Sequence, residues 1–205
     1  MTDKTSDLRS RLSACRVVPV VVVEDAATAV PTARALLEGG ITAIEIVLRT
    51  DAAYDAVKTV RADVPEIALG VGSVFHSNQV EFCAEVGADF IVTPGTTEAL
   101  YDAVAETDLI LVPGTATLSE ALRALERGWD LVKFFPAEAS GGASALKAIG
   151  GPLPDVTFMP TGGITPATAP DYLALPNVLC VGGSWITKST DPATISKLAK
   201  DAVGL

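Results

Sequence analysis

Three groups of residues in this chain could do chemistry. The first is Lys133, within Trp129-Asp130-Leu131-Val132-Lys133-Phe134-Phe135-Pro136. The run reads as a short buried strand, apolar and closed by a proline. An ammonium there would lose its water, so it must find an anion or give up its proton. A lysine without its proton is an amine nucleophile, able to form an imine with a carbonyl substrate. The competing reading is a lysine at a strand end whose ammonium reaches back to water. The second group is Glu45 and Arg49, in Ala43-Ile44-Glu45-Ile46-Val47-Leu48-Arg49-Thr50. Strand side chains alternate, so Glu45, Val47 and Arg49 share a face opposite Ile44, Ile46 and Leu48. The apolar set belongs against helices, which predicts that Glu45 and Arg49 point inward. Together they could be a structural ion pair. Apart, they are a general base and a planar fork for a substrate carboxylate. The third group is two glycine pairs, in Thr161-Gly162-Gly163-Ile164 and Val181-Gly182-Gly183-Ser184. Paired glycines let backbone N–H groups approach an anion, and a helix N-terminus usually follows.

The elements that must position these groups follow from periodicity. Apolar, β-branched runs occur at 17–23, 42–48, 67–72, 88–93, 108–112, 129–135, 156–160 and 178–182. Helical-period segments lie between and after them, at 26–38, 51–63, 76–86, 96–105, 117–127, 142–150, 166–174 and 191–202. The strands are apolar on both faces, as a fully covered parallel sheet requires. Eight such βα units predict an α/β fold of the (β/α)8 TIM-barrel type. Residues 3–14 add an amphipathic helix before the pattern, so a single domain spans 1–205, with residues 1–15 as the extra N-terminal helix and 16–205 as the barrel. The alternative is an open doubly wound sheet, but no GxGxxG follows the first strand.

A barrel places its chemistry at the C-terminal ends of strands, often with a phosphate after strands seven and eight. The two glycine pairs fall there and predict a phosphate cup, although a lone Gly-Gly is more often a plain turn. Lys133 alternates with Leu131 and Phe135, so an inward Lys133 would approach Glu45 across the barrel. Arg49 nearby, and burial among Trp129, Phe134 and Phe135, would favour the neutral amine. Ser73 closes the third strand, where its hydroxyl could bond a carboxylate. Pro94 and Pro113 follow the fourth and fifth strands and shape turns, and Pro94 could also wall a pocket. His76 stands where a helix begins, which suits the surface or a cap. Cys180 reads as core.

Composition narrows the classes. A chain of 205 residues, 49% hydrophobic, can bury a large core. A net charge of −10 argues against a nucleic-acid partner. No apolar run is long enough for a membrane helix, and the first residues are polar, so a cytoplasmic protein without membrane contact is expected. The scattered Cys15, Cys83 and Cys180 suit reduced thiols. One histidine and no strand-top Asp cluster weaken a metal-dependent isomerase or epimerase. A barrel that only binds a sugar phosphate is a second rival.

The motifs VVPVVVV (17–23), GGITAIEIVLRT (39–50), VTPG (92–95), VKFFPAEASGG (132–142), PTGGIT (160–165) and DYLALPNVLCVGGSW (171–185) span nearly the whole chain. Through them the sequence resembles the family of bacterial aldolases that cleave 2-dehydro-3-deoxy-6-phosphogluconate (KDPG). Many members also cleave 4-hydroxy-2-oxoglutarate (KHG). The resemblance implies a class I lyase of carbohydrate metabolism, in the Entner–Doudoroff pathway, with no cofactor and no metal. Lys133 would be the Schiff-base lysine and Glu45 the general acid/base. Arg49 and Ser73 would hold the pyruvate carboxylate. Pro94 and Phe135 would line the pocket, and Thr161 would lie beside the aldehyde half. Gly162, Gly163, Gly183 and Ser184 would bind the phosphate. The partner would be a small 2-keto acid sugar phosphate, and the assembly a homotrimer. The phosphogalactonate aldolase is a close alternative. Ser73 and Val47 stand where threonines are expected, which bears on substrate orientation rather than on reaction type.

Overall fold

The computed structural model describes residues 3–205. Nine strands are present among them: β1 (Val17–Val21), β2 (Ala43–Val47), β3 (Ala68–Gly72), β4 (Phe90–Val92), β5 (Ile110–Val112), β6 (Gly114–Thr115), β7 (Leu131–Phe134), β8 (Thr157–Pro160) and β9 (Val181–Gly183). The helices are α1 (Asp3–Cys15), α2 (Ala29–Glu38), α3 (Ala52–Asp63), α4 (Ser77–Val86), α5 (Glu98–Ala105), α6 (Leu118–Glu126), α7 (Gly142–Gly150), α8 (Ala169–Leu173) and α9 (Pro192–Val203). The expected βα alternation is therefore present, preceded by the extra helix α1.

Each strand ladder is parallel. Six strands form one sheet in the order β5-β4-β3-β2-β1-β9, and three form another in the order β6-β7-β8. This differs from the expected single ring of eight ladders. The fifth strand is split at Pro113, which has no N–H to give a ladder. Ile110–Val112 pairs with β4, whereas Gly114–Thr115 pairs with β7. Isolated parallel bridges join Phe158 to Val178 and Thr161 to Gly182.

Alternation along the strands sorts the two faces. Residues of β2, β3, β4 and β7 are all buried, as expected for a sheet covered on both sides. Phe134 and Phe158 share one face and meet edge to face, their ring centroids 6.3 Å apart. Burying such a side chain fully contributes roughly 2–3 kcal/mol. Lys133 points to the other face, beside Met159 in the register of β7 and β8.

Several boundaries differ from expectation for local reasons. The run at 129–135 becomes a strand only at Leu131. Before it, Trp129 N donates to Ala124 O at 2.9 Å and Gly128 adopts φ 92, closing α6 with a left-handed turn. Trp129 is thus half-buried at a helix end, outside the strand that carries Lys133. The eighth strand starts at Val181, not 178. The segment expected to be helical from 166 turns helical only at Ala169. Thr165 N bonds Thr168 Oγ1 at 3.0 Å, and Thr168 N bonds Thr165 Oγ1 at 3.3 Å, which stabilises a turn instead.

Candidate active site

Lys133 and Glu45 are carried to each other by β7 and β2. Lys133 Nζ donates to Glu45 Oε1 at 3.2 Å. The side chains are 4% and 0% exposed. The second carboxylate oxygen, Glu45 Oε2, is buried and has no hydrogen-bond partner among the described residues. Such an oxygen is a costly feature unless something else bonds it. Lys133 Nζ also sits 5.4 Å from the centre of the half-buried Phe135 ring. The Thr115 hydroxyl donates to Lys133 O at 2.9 Å and fixes the backbone under the amine.

The neighbouring strand makes room for the acid. Ala68, Gly70 and Gly72 occupy one face of β3, and Gly72 lies against Glu45. A Cβ on Gly72 would come within 2.2 Å of Glu45 Oε1. The stretch 67–72 reads in sequence as an ordinary apolar run, so this role of Gly72 was not foreseen.

Arg49 lies just beyond its strand, beside Ser73 as the expected carboxylate pair requires. β2 ends at Val47, two residues before Arg49, so strand alternation alone does not set its direction. Arg49 is exposed, and its Nε donates to Ser73 Oγ at 2.9 Å. The structural Glu45–Arg49 ion pair does not form, because Glu45 pairs with Lys133. Ser73 is buried with φ 58, in the left-handed region that L-residues seldom occupy. That strain at the end of β3 holds its hydroxyl under the guanidinium.

The remaining candidates line the same ends of the strands. Thr161 is buried and bridges to Gly182. Gly162 and Gly163 follow β8 with φ 103 and 82. Gly183 ends β9 beneath the Trp185 ring, and Ser184 follows, exposed. The expected helix start is missing from both loops: turns follow Ser184, and α8 begins only at Ala169. Two successive positive φ values at Gly162 and Gly163 are incompatible with a right-handed helix there. Pro94 is half-buried after β4, its backbone packed on Gly114. The structure thus joins Lys133, Glu45 and Phe135, joins Arg49 with Ser73, and joins Thr161 with Gly182. Pro94 and Ser184 make no side-chain bond to these groups among the described residues.

His76 caps α4, where the Gln79 side chain accepts from His76 N at 3.1 Å, so its expected placement holds. Cys180 is buried as expected, and burial pushes its thiol up. A cavity of about 630 Å³ lies elsewhere, between α1 and the residues before β3, β4 and β5. Lys133, Glu45, Arg49 and Ser73 do not line it. The chemistry is located by the buried amine and acid, not by the size of a hole.

A lysine kept dry beside an acid with one free oxygen can form an imine and pass protons beside it. Known proteins carry the same frame. The KHG/KDPG aldolase of Escherichia coli K12 is 46% identical over 205 residues, covering 98% of this chain and 96% of its own. The KDPG aldolase of Legionella pneumophila, solved with pyruvate captured at low pH as a covalent carbinolamine, superposes with a TM-score of 0.91 at 38% identity, covering 95% of this chain and 97% of its own. The Zymomonas mobilis ZM4 enzyme, solved with 3-phosphoglycerate, does so with a TM-score of 0.91 at 41% identity, covering 96% and 95%. The pattern of the aldolase family described as KDPG and KHG aldolase matches residues 8–199, and the chain belongs to that family.

Proposed function

We propose that this chain is a class I aldolase that cleaves KDPG to pyruvate and D-glyceraldehyde 3-phosphate through an imine on Lys133. The observation that carries this is the buried Lys133 Nζ, 3.2 Å from Glu45 Oε1, with Glu45 Oε2 unbonded among the described residues. The enzyme is a lyase of the Entner–Doudoroff type. It also cleaves KHG to pyruvate and glyoxylate, a reading supported by the name of the Escherichia coli relative.

The steps follow from the groups present. The amine of Lys133 is free to attack once its extra proton has passed to Glu45. It adds to C2 of the 2-keto acid, and proton transfer gives a carbinolamine. Glu45 returns the proton to the C2 hydroxyl, water leaves, and a protonated imine remains. Glu45, again a carboxylate, takes the proton of the C4 hydroxyl. The C3–C4 bond breaks, its electrons flow to the iminium, and the aldehyde departs from an enamine. Glu45 protonates C3, and water releases pyruvate from Lys133. The carbinolamine captured in the Legionella pneumophila enzyme supports this route.

Arg49 and Ser73 hold the substrate carboxylate as a fork beside a hydroxyl. Phe135 and Pro94 wall the pocket, and Thr161 lies beside the aldehyde half. Gly162, Gly163, Gly183 and Ser184 take the phosphate on backbone N–H groups and a hydroxyl. Holding the remote phosphate helps to place the reacting bond. The 3-phosphoglycerate in the Zymomonas mobilis enzyme supports a phosphate-bearing ligand. The proposed chemistry routes every proton and bond change through Lys133, Glu45 and water, and includes no metal and no cofactor.

The same proposal includes a single domain whose two sheets close into one (β/α)8 ring. Pro113 alone separates β5 from β6, and the Phe158–Val178 and Thr161–Gly182 bridges tie β8 to the β9 segment. It also includes a cytoplasmic homotrimer. Buried free thiols at Cys15, Cys83 and Cys180 suit a reducing compartment, and no helix among the described residues is long and apolar enough to cross a membrane.

Borohydride in the presence of pyruvate tests the central step. It should fix pyruvyl mass on Lys133, read by peptide mass spectrometry. Labelling at another lysine, or none, would falsify the imine.

A further inference from the structure

The loop after β7 is stitched to the loop after β8. Ala137 N donates to Thr161 O at 2.8 Å, and Glu138 N donates to Gly162 O at 3.1 Å. The stem of Glu138 lies on Gly163, where a Cβ would meet Glu138 Cβ and Cγ at 2.7 Å. The head of Glu138 turns to α8, and its Oε1 accepts from the Tyr172 hydroxyl at 2.6 Å. Tyr172 is buried, and its hydroxyl also lies beside Gly142 at the start of α7. An acidic side chain is therefore seated on the loop assigned to a phosphate dianion. Left free, that carboxylate would swing in solvent and repel the phosphate.

We infer that Tyr172 is a positioning residue for the phosphate end of the substrate: its hydroxyl pins the Glu138 carboxylate, keeping that charge off the phosphate and Gly163 in its open shape. The inference rests on the phosphate assignment of the Gly162–Gly163 loop. A charge-assisted bond of this length is among the stronger kinds. Burial, and then the bond to Glu138, push the Tyr172 phenol up, so it stays a donor across the neutral range. No other side chain bonds the Glu138 carboxylate among the described residues.

The test compares wild type, Tyr172→Phe and Tyr172→Phe/Glu138→Gln. Three readouts are used: KM for KDPG, competitive inhibition by inorganic phosphate, and borohydride trapping of pyruvate on Lys133. Tyr172→Phe should raise KM for KDPG and the phosphate inhibition constant by about fivefold or more, fivefold being the scale of two unit like charges about 4 Å apart in bulk water. Trapping of pyruvate should stay at the wild-type level. Removing the charge in the double variant should bring both constants back toward wild type. Unchanged constants in Tyr172→Phe would overturn the inference. So would a double variant no better than the single one, or a parallel loss of pyruvate trapping, since either marks a general structural role. If phosphate fails to compete with KDPG even in wild type, the phosphate assignment itself is wrong and the inference goes with it.

Discussion

Lys133 Nζ and Glu45 Oε1 stand 3.2 Å apart although 88 positions separate the residues in sequence. Both side chains are almost wholly out of water. A charge pair in such a place is costly to break from one side, because the survivor is left buried without compensation.

The first prediction is a stability result. Lys133→Met should abolish turnover and pyruvate trapping, and lower the unfolding free energy by about 3 kcal/mol, the usual cost of stranding one buried partner. Adding Glu45→Gln should recover at least half of that loss. Urea denaturation of the two variants checks it. A double variant as unstable as the single one would mean that packing, not charge, sets the cost.

Glu45→Gln alone separates proton transfer from binding. Exchange of the pyruvate methyl protons with solvent, followed by NMR, should slow by about a hundredfold or more, the range for a lost general acid/base. Binding of pyruvate, read by equilibrium titration, should weaken far less. Equal loss of both would leave Glu45 with a purely structural part.

Ser73 offers a trade between strain and function. Its φ of 58 is retained with strain in Ser73→Ala and relieved in Ser73→Gly. Both variants lose the hydroxyl that faces Arg49, so both should bind pyruvate more weakly. Only Ser73→Gly should become more stable, by about 1 kcal/mol, the lower end of the cost of a left-handed residue. Thermal unfolding beside pyruvate titration reads both effects.

Alkaline pH should weaken the fold through its buried thiols. Burial pushes the Cys83 thiol up to about 12 from 9.0, and the Cys180 thiol also moves up. Above pH 9.0 the unfolded chain releases protons that the folded chain keeps. The stability these thiols contribute is therefore whole below pH 9.0 and drains away as pH climbs toward about 12. Each such thiol contributes a slope of about 1.4 kcal/mol per pH unit in that window. Cys83→Ala should lower the unfolding free energy overall yet flatten this slope. An unchanged slope between pH 9 and 11 would assign the alkaline loss to other groups.

Metal removal gives the last prediction. Dialysis against EDTA should leave KDPG cleavage at its untreated rate. Activity lost to the chelator and restored by a divalent ion would move the reaction to a metal-dependent class.

The sequence exposed what was locally anomalous. Lys133 and Glu45 are charges inside apolar β-branched runs; strand alternation turns Glu45 inward, and an inward Lys133 was expected to approach it. It did not expose where regular structure stops. Arg49 sits beyond the last residue of β2, so the alternation no longer governs it. Trp129 belongs to the turn that closes α6, although it opens the apolar run 129–135 that reads as a strand. Gly114–Thr115 adds a strand beyond Pro113, where periodicity ended the fifth run at 112. The Glu138–Tyr172 bond joins residues 34 apart that share no repeat, and only the packed loops reveal it.

The bare α-carbon of Gly72 has a further consequence for the acid. Glu45 stands where it does because the adjoining strand offers a hydrogen atom and nothing larger. A single methyl group would shove the carboxylate onto the amine or swivel its free oxygen out of reach of the substrate. The proton carrier is thus sited by a gap next door as much as by the amine that bonds it.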